Sequence, residues 1–241
     1  MMMNRNAVVI AACLLIVNTG VYAQFGGLGN SLSGLGGSLG NSLGSALGVL
    51  NTNTVNSGGD ISGDVTNFGK KSAVLSNLTS RSVTAINAAF SSEEEIEKKR
   101  AALQAIDQTT DPKEKQVKTA ALYESESAEA KRRLDSGEME KKISGLDETK
   151  KKQIGTALFN FGIGALQAAD LTITGQNLVR KVSFNPLNIT KVSPVADALP
   201  LLGQVAVDSG GLMLGIMKLA RGAKISVPEV TVNSKTTEIV V

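Results

Sequence analysis

The chain contains no histidine and no tryptophan, and its one cysteine, Cys13, lies near the start. Without imidazole or a thiolate beyond that point, Ser-His-Asp and Cys-His mechanisms are excluded. So are transition-metal centres built on those ligands and a structural disulfide. Aromatic residues are scarce, with 6 Phe and 2 Tyr in 241 residues. Any core must therefore rest on Leu, Ile, Val and Ala, which suits helices. A strong charge of one sign is also missing. The net charge of +3 is too small to argue for nucleic acid, and basic residues are not interleaved with aromatics. Carboxylate, lysine, tyrosine and hydroxyl chemistry remains, but no constellation of these stands out. The chain is expected not to be an enzyme, and no catalytic residue, metal site or cofactor is assigned.

Residues 1–23 have the three-part form of a secretory signal peptide. Arg5 supplies the positive charge, residues 7–17 an apolar run, and Val21, Tyr22 and Ala23 the segment before cleavage, so the mature chain is expected to start at Gln24. The apolar run is about half of the ~20 residues a bilayer span needs. Residues 10–13 (IAAC) resemble a bacterial lipobox, which would make Cys13 a lipidated first residue. Only six apolar residues precede Cys13, however, and the run continues to Val17. The expected location is export to the periplasm, outer envelope or exterior, in a bacterial style. Two glycosylation sequons, at Asn77 and Asn188, matter only in a eukaryotic source.

The most distinctive segment follows. Leucines fall at Leu28, Leu32, Leu35, Leu39, Leu43, Leu47 and Leu50, a mean step of about 3.67, close to the helical repeat. Gly36, Gly40, Gly44 and Gly48 form a second line beside them. Small residues four apart let helix backbones approach closely. In water each interior glycine costs about 1 kcal/mol relative to alanine, so such a helix needs a partner helix or a bilayer. As a helix, residues 25–50 would extend about 39 Å, enough to cross a hydrocarbon core of ~30 Å. The expected association interface comprises Gly36, Gly40, Gly44 and Gly48 with Leu35, Leu39, Leu43 and Leu47. Two other readings of the segment are a low-complexity linker and a β-type aggregating repeat.

Residues 51–71 read as a polar linker. The Gly-Asp pairs at 59–60 and 63–64 do not match a calcium loop and are taken as turns. A first helix is expected over 72–90. A capping box at Ser91 or Ser92 with Glu94 or Glu95 opens a second helix, with Phe90 stapled to Ile96 and Glu94–Lys98 and Glu95–Lys99 pairs along it. Asp111 and Pro112 open a third, running to about Ser136 and stopped by Gly137. Residues 91–152 carry 15 acidic and 14 basic side chains and read as a solvated helical hairpin. A long helix runs from residues 146–148 to about Val182, with no charge over 154–169. Its expected partner is the apolar stretch 195–220, packed antiparallel as a buried pair. The same pair could insert into a bilayer after a conformational change. The period changes after Ile225, and the turn-like residues 233–235 suggest a short β-hairpin over 225–241.

The expected fold is thus mainly α, with 72–224 as a helical hairpin or bundle, coiled-coil-like in its packing. A Gly-rich segment precedes it and a short C-terminal β-hairpin follows. The expected function is that of an exported, non-catalytic envelope or extracellular protein acting by association. Its partner would be a second copy, an envelope protein or a membrane. The alternatives are a membrane-perturbing or pore-forming helical protein, and a periplasmic carrier or chaperone for lipid or protein.

Overall fold

A computed structural model of the protein describes residues 61–183, 190–231, 234–239 and 241. The helices among them are α1 (Ser62–Ala89), α2 (Glu93–Gln108), α3 (Pro112–Asp135), α4 (Glu138–Ile143), α5 (Glu148–Ser183), α6 (Ser193–Gly210) and α7 (Leu212–Gly222). The chain is mainly helical, as its composition implies, and the helices form a bundle. The Leu/Gly ladder, with all eight expected interface residues, lies outside the described residues.

Cross-helix contacts establish the directions. On α5, Gln153 donates to the Ala85 carbonyl at 3.1 Å, Gly164 lies against Thr79 and Gly175 against Phe68. Successive contacts climb α5 while descending α1, so the two are antiparallel. Ser80 donates to the Thr119 carbonyl and Asn87 to the Glu126 carbonyl, an offset of 39 residues both times, so α3 runs parallel to α1. Helix α2 returns between them, with Arg81 paired to Asp107. Asp208 of α6 meets Tyr123 of α3, and Gly215 of α7 meets Leu134. The α6–α7 arm therefore follows α3 and opposes α5. The antiparallel packing expected for the two apolar stretches holds for α6. Helix α7, after the break at Gly210 and Gly211, sits against α3 and α4 as well.

Helix α1 occupies the centre and is unusual in what it buries. Ser72, Ser76, Thr79, Ser80, Ser82, Thr84 and Asn87 are all buried beside Phe68, Leu75, Val83 and Ile86. Most of these hydroxyls are satisfied within the helix. Ser76, Thr79, Ser82 and Thr84 donate to the carbonyl four residues back at 2.7–3.0 Å, so burying these four leaves their donors satisfied, while the buried Ser72 hydroxyl has no partner. Small side chains let α5 come close. A Cβ on Gly164 would lie 2.5 Å from Thr79 Cγ2, and one on Gly175 would lie 2.9 Å from Phe68 Cε2.

This stripe changes one boundary. Residues 62–71, expected as linker, form the first turns of α1, with Val65 and Phe68 buried. The Gly63–Asp64 pair is helical rather than a turn, and Asp64 sits in the first turn, where a carboxylate suits the helix dipole. The other expected boundaries hold closely. Ser92 and Glu95 form a capping box, Asp111 caps α3 with Pro112 in its first turn, and Gly137 turns the chain at φ +70°.

Beyond α7 the described residues carry no strand. Ser234 N–H donates to the Thr231 carbonyl at 3.0 Å, while Val232 and Asn233 lie outside the described residues.

Candidate functional site

Two assemblies stand out, a buried ionic cluster between α1, α2 and α3, and the seat of the C-terminal strap on α5.

The cluster begins with helix periodicity. On α3 the buried residues are Thr119, Tyr123, Glu126, Ser127, Ala130 and Arg133, a helical stripe that includes two charges. On α2 the buried residues are Ile96, Lys99, Leu103 and Ile106, again with a charge on the apolar line. Lys99 Nζ donates to both Glu126 oxygens at 2.7 and 2.8 Å and to Glu129 Oε2 at 2.7 Å. Asn87 Nδ2 from α1 donates to Glu126 Oε2 at 2.6 Å and to the Glu126 carbonyl at 2.8 Å. Arg133 pairs with Glu129 and donates to Ser91 Oγ at 3.2 Å. Glu95 and Glu138 stand at its rim, 3.7 and 3.6 Å from the guanidinium. Exposure decides how much this matters: the Lys99, Glu126 and Arg133 side chains are 9%, 6% and 3% exposed.

The electrostatics follow from these contacts. Burial disfavours the Glu129 carboxylate, but Lys99 and Arg133 outweigh it and hold the carboxyl below its usual value. The Ser92 main-chain N–H does the same for Glu95, and Lys142 for Glu138. The Lys99 ammonium and the Glu126 and Glu129 carboxylates are spent on one another, while Arg133 Nε and Nη1 are buried without a hydrogen-bond partner; the cluster is a clasp joining α1, α2 and α3. The expectation that residues 91–152 are simply a solvated hairpin is therefore corrected at Lys99, Glu126 and Arg133. The expected Glu95–Lys99 pair is also replaced. Lys99 turns inward to α3, while Glu95 accepts from Ser92 N–H at 2.9 Å. The signal was present in the sequence, since these charges fall in phase with the apolar positions.

A smaller polar contact ties the apolar arm to the body. Tyr123, fully buried, donates its hydroxyl to Asp208 Oδ2 at 2.8 Å. Burial, reinforced by the Asp208 charge, pushes the phenol well above its ordinary value. On α5, burial raises the Asp170 carboxyl, with partial relief from Lys71.

The strap seat is built from glycine and asparagine. A Cβ on Gly155 would overlap the Ser226 carbonyl oxygen, and one on Gly162 would lie 2.8 Å from Val230 Cγ2. Between them Asn160, fully buried, makes two bonds to one residue of the strap. Its Nδ2 donates to the Thr237 carbonyl at 2.6 Å, and its Oδ1 accepts from Thr237 N–H at 2.9 Å. On α2, Arg100 Nε donates to the Val241 carbonyl at 2.6 Å. Ile225 and Val230 point inward and are buried. This seat was not legible in the sequence, because Gly155 and Gly162 read only as generic close-contact positions on a long helix.

No family model, curated protein or solved structure matches this chain. Among the described residues no group of three or more carboxylates or other ligands is placed to hold a metal ion. The stretch Thr190–Gly222, 33 residues that include α6 and α7, is long and apolar enough by composition to cross a membrane.

Proposed function

We propose that the protein is an exported, non-catalytic association protein whose contact element is the glycine-lined ladder. Its interface is Gly36, Gly40, Gly44 and Gly48 with Leu35, Leu39, Leu43 and Leu47. The observation that carries this reading is the ladder itself: leucines at the helical repeat beside glycines every four residues. Supporting it is the way glycine is used elsewhere on the same chain. Gly155, Gly162, Gly164 and Gly175 each mark a point where another segment comes within contact distance of a helix backbone. The partner is a second copy, an envelope protein or a membrane, and the body is the soluble carrier of that element. Gly40→Leu with Gly44→Leu in the full chain tests this. Loss of the higher-order species in sedimentation, or of carbonate-resistant membrane association, is expected. Wild-type sedimentation and fractionation would overturn the assignment.

One observation favours a second reading, a membrane-perturbing protein that inserts its apolar arm. The stretch Thr190–Gly222 qualifies as a span by length and composition, while Tyr123–Asp208 ties it to α3. Dye release from anionic or neutral vesicles, raised by Tyr123→Phe, would support insertion. Intact vesicles with both proteins would remove it.

A further inference from the structure

The bundle buries little of the apolar stretch Thr190–Gly222. Only 39% of its most apolar part is buried, and Val207 on α6 is 52% exposed, whereas a core helix of a water-soluble bundle turns its apolar face inward. Charge along the stretch has a definite order. Lys191 stands at its start and Lys218 and Arg221 near its end, and between residues 192 and 217 the only charged side chains are Asp197 and Asp208. As one helix, residues 192–217 would extend about 39 Å, enough for a hydrocarbon core of ~30 Å. The basic side chains at both ends would reach the headgroups. The only charges that oppose burial in lipid are therefore ones that a proton neutralises.

The bundle gives these carboxylates no cation. Among the described residues no lysine or arginine lies within ion-pair distance of Asp197 or Asp208. Asp208 accepts from the Tyr123 hydroxyl at 2.8 Å and from Gln204 Nε2 at 3.0 Å. Asp197, exposed, accepts from Ser193 Oγ at 3.5 Å. Of the elements packed against α6, α3 presents Tyr123, while on α1 and α5 Asp64 pairs with Lys181 and Asp170 has Lys71 nearby. The Tyr123 bond draws strength from its charged acceptor, and a neutral acceptor makes such a bond roughly half as strong. Building on the second reading above, we propose that the α6–α7 arm is proton-gated: its partner is the hydrocarbon core of a bilayer, and protonation of Asp197 and Asp208 admits it. One event acts twice. It removes the two charges that keep the arm out of lipid, and it weakens the hydrogen bond that holds Asp208 to α3.

Release of an encapsulated dye from phosphatidylcholine vesicles tests the gate, because a neutral surface does not attract a chain merely made more cationic by acid. Residues 24–50 carry no ionisable side chain, so the ladder adds no pH dependence of its own. The full chain should release several-fold more dye at about pH 4, where carboxylic side chains in general take up protons, than at about pH 7. Other carboxylates titrate there too, so the deciding protein combines Asp197→Asn with Asp208→Asn. It keeps an acceptor for Tyr123 and should release several-fold more dye than wild type at about pH 7, with circular dichroism in the absence of vesicles showing its helices intact. Val207→Lys decides independently. At an exposed position it places in the stretch a charge that acid does not remove, and it should abolish most of the release at about pH 4. Three results would overturn the gate and leave insertion standing: equal release by wild type at both pH values, a folded double variant no better than wild type at about pH 7, or undiminished acid release by Val207→Lys. Intact vesicles with all of these proteins and with Tyr123→Phe, at both pH values, would remove insertion itself.

Discussion

Replacing Lys99 by methionine tests the ionic clasp most directly. Methionine retains much of the apolar stem and removes only the ammonium group. Glu126, with its side chain 6% exposed, would keep one partner, Asn87 Nδ2 at 2.6 Å, and would hold a buried negative charge with no cation beside it. Breaking a buried pair by removing one partner costs about 3–5 kcal/mol. Glu129 adds little to that cost, because it is 27% exposed and still paired with Arg133. The expected loss is therefore about 3–5 kcal/mol, a large part of the stability of an ordinary domain. Urea unfolding followed by far-ultraviolet circular dichroism measures it, with an unchanged m-value confirming that the end states are the same. Adding Glu126→Gln removes the stranded charge and should recover most of the loss. Acidification supplies an independent check. Glu129 is held below its ordinary value of 4.5, so its contribution is complete above that pH and disappears as pH falls through the folded-state value. Wild type should lose stability in acid over that interval. A loss under about 1 kcal/mol, the size of an exposed pair, or a double variant no better than the single one, would refute the clasp.

Other substitutions separate close packing from open space. Gly155→Ala pushes a methyl into the Ser226 carbonyl and should destabilise by about 1–3 kcal/mol while loosening the strap in hydrogen exchange. Gly69→Ala, on α1 with nothing within 4 Å, should stabilise by about 0.5–1 kcal/mol, visible as a higher urea midpoint. Lys224→Gly removes a side chain from a left-handed residue and should stabilise by about 1 kcal/mol in the same assay. Asp170 has its carboxyl raised by burial, so its charged form opposes folding at neutral pH. Asp170→Asn should stabilise at pH 7, and the gain should vanish below the ordinary aspartate value of 3.8.

The sequence by itself determined the helical class, the ends of most helices and the uncharged run over 154–169 of α5. These are local properties. Caps such as Ser92 and Asp111 act within a turn of their own position, and Gly137 needs only its own φ. The start of α1 was hidden because Gly63, Asp64, Asn67, Gly69 and Lys70 surround the two buried apolar residues of its first turns, Val65 and Phe68. Which charges are buried was a tertiary matter. Lys99, Glu126 and Arg133 fall in phase with the apolar positions of their helices, but the register of α2 against α3 decides that they meet in the interior. The strap seat was tertiary too, since Gly155, Asn160 and Thr237 acquire a joint role only when α7 delivers the chain's last residues onto α5. Backbone hydrogen bonding and capping reach a few residues along a chain, whereas burial and ion pairing depend on what arrives from far away.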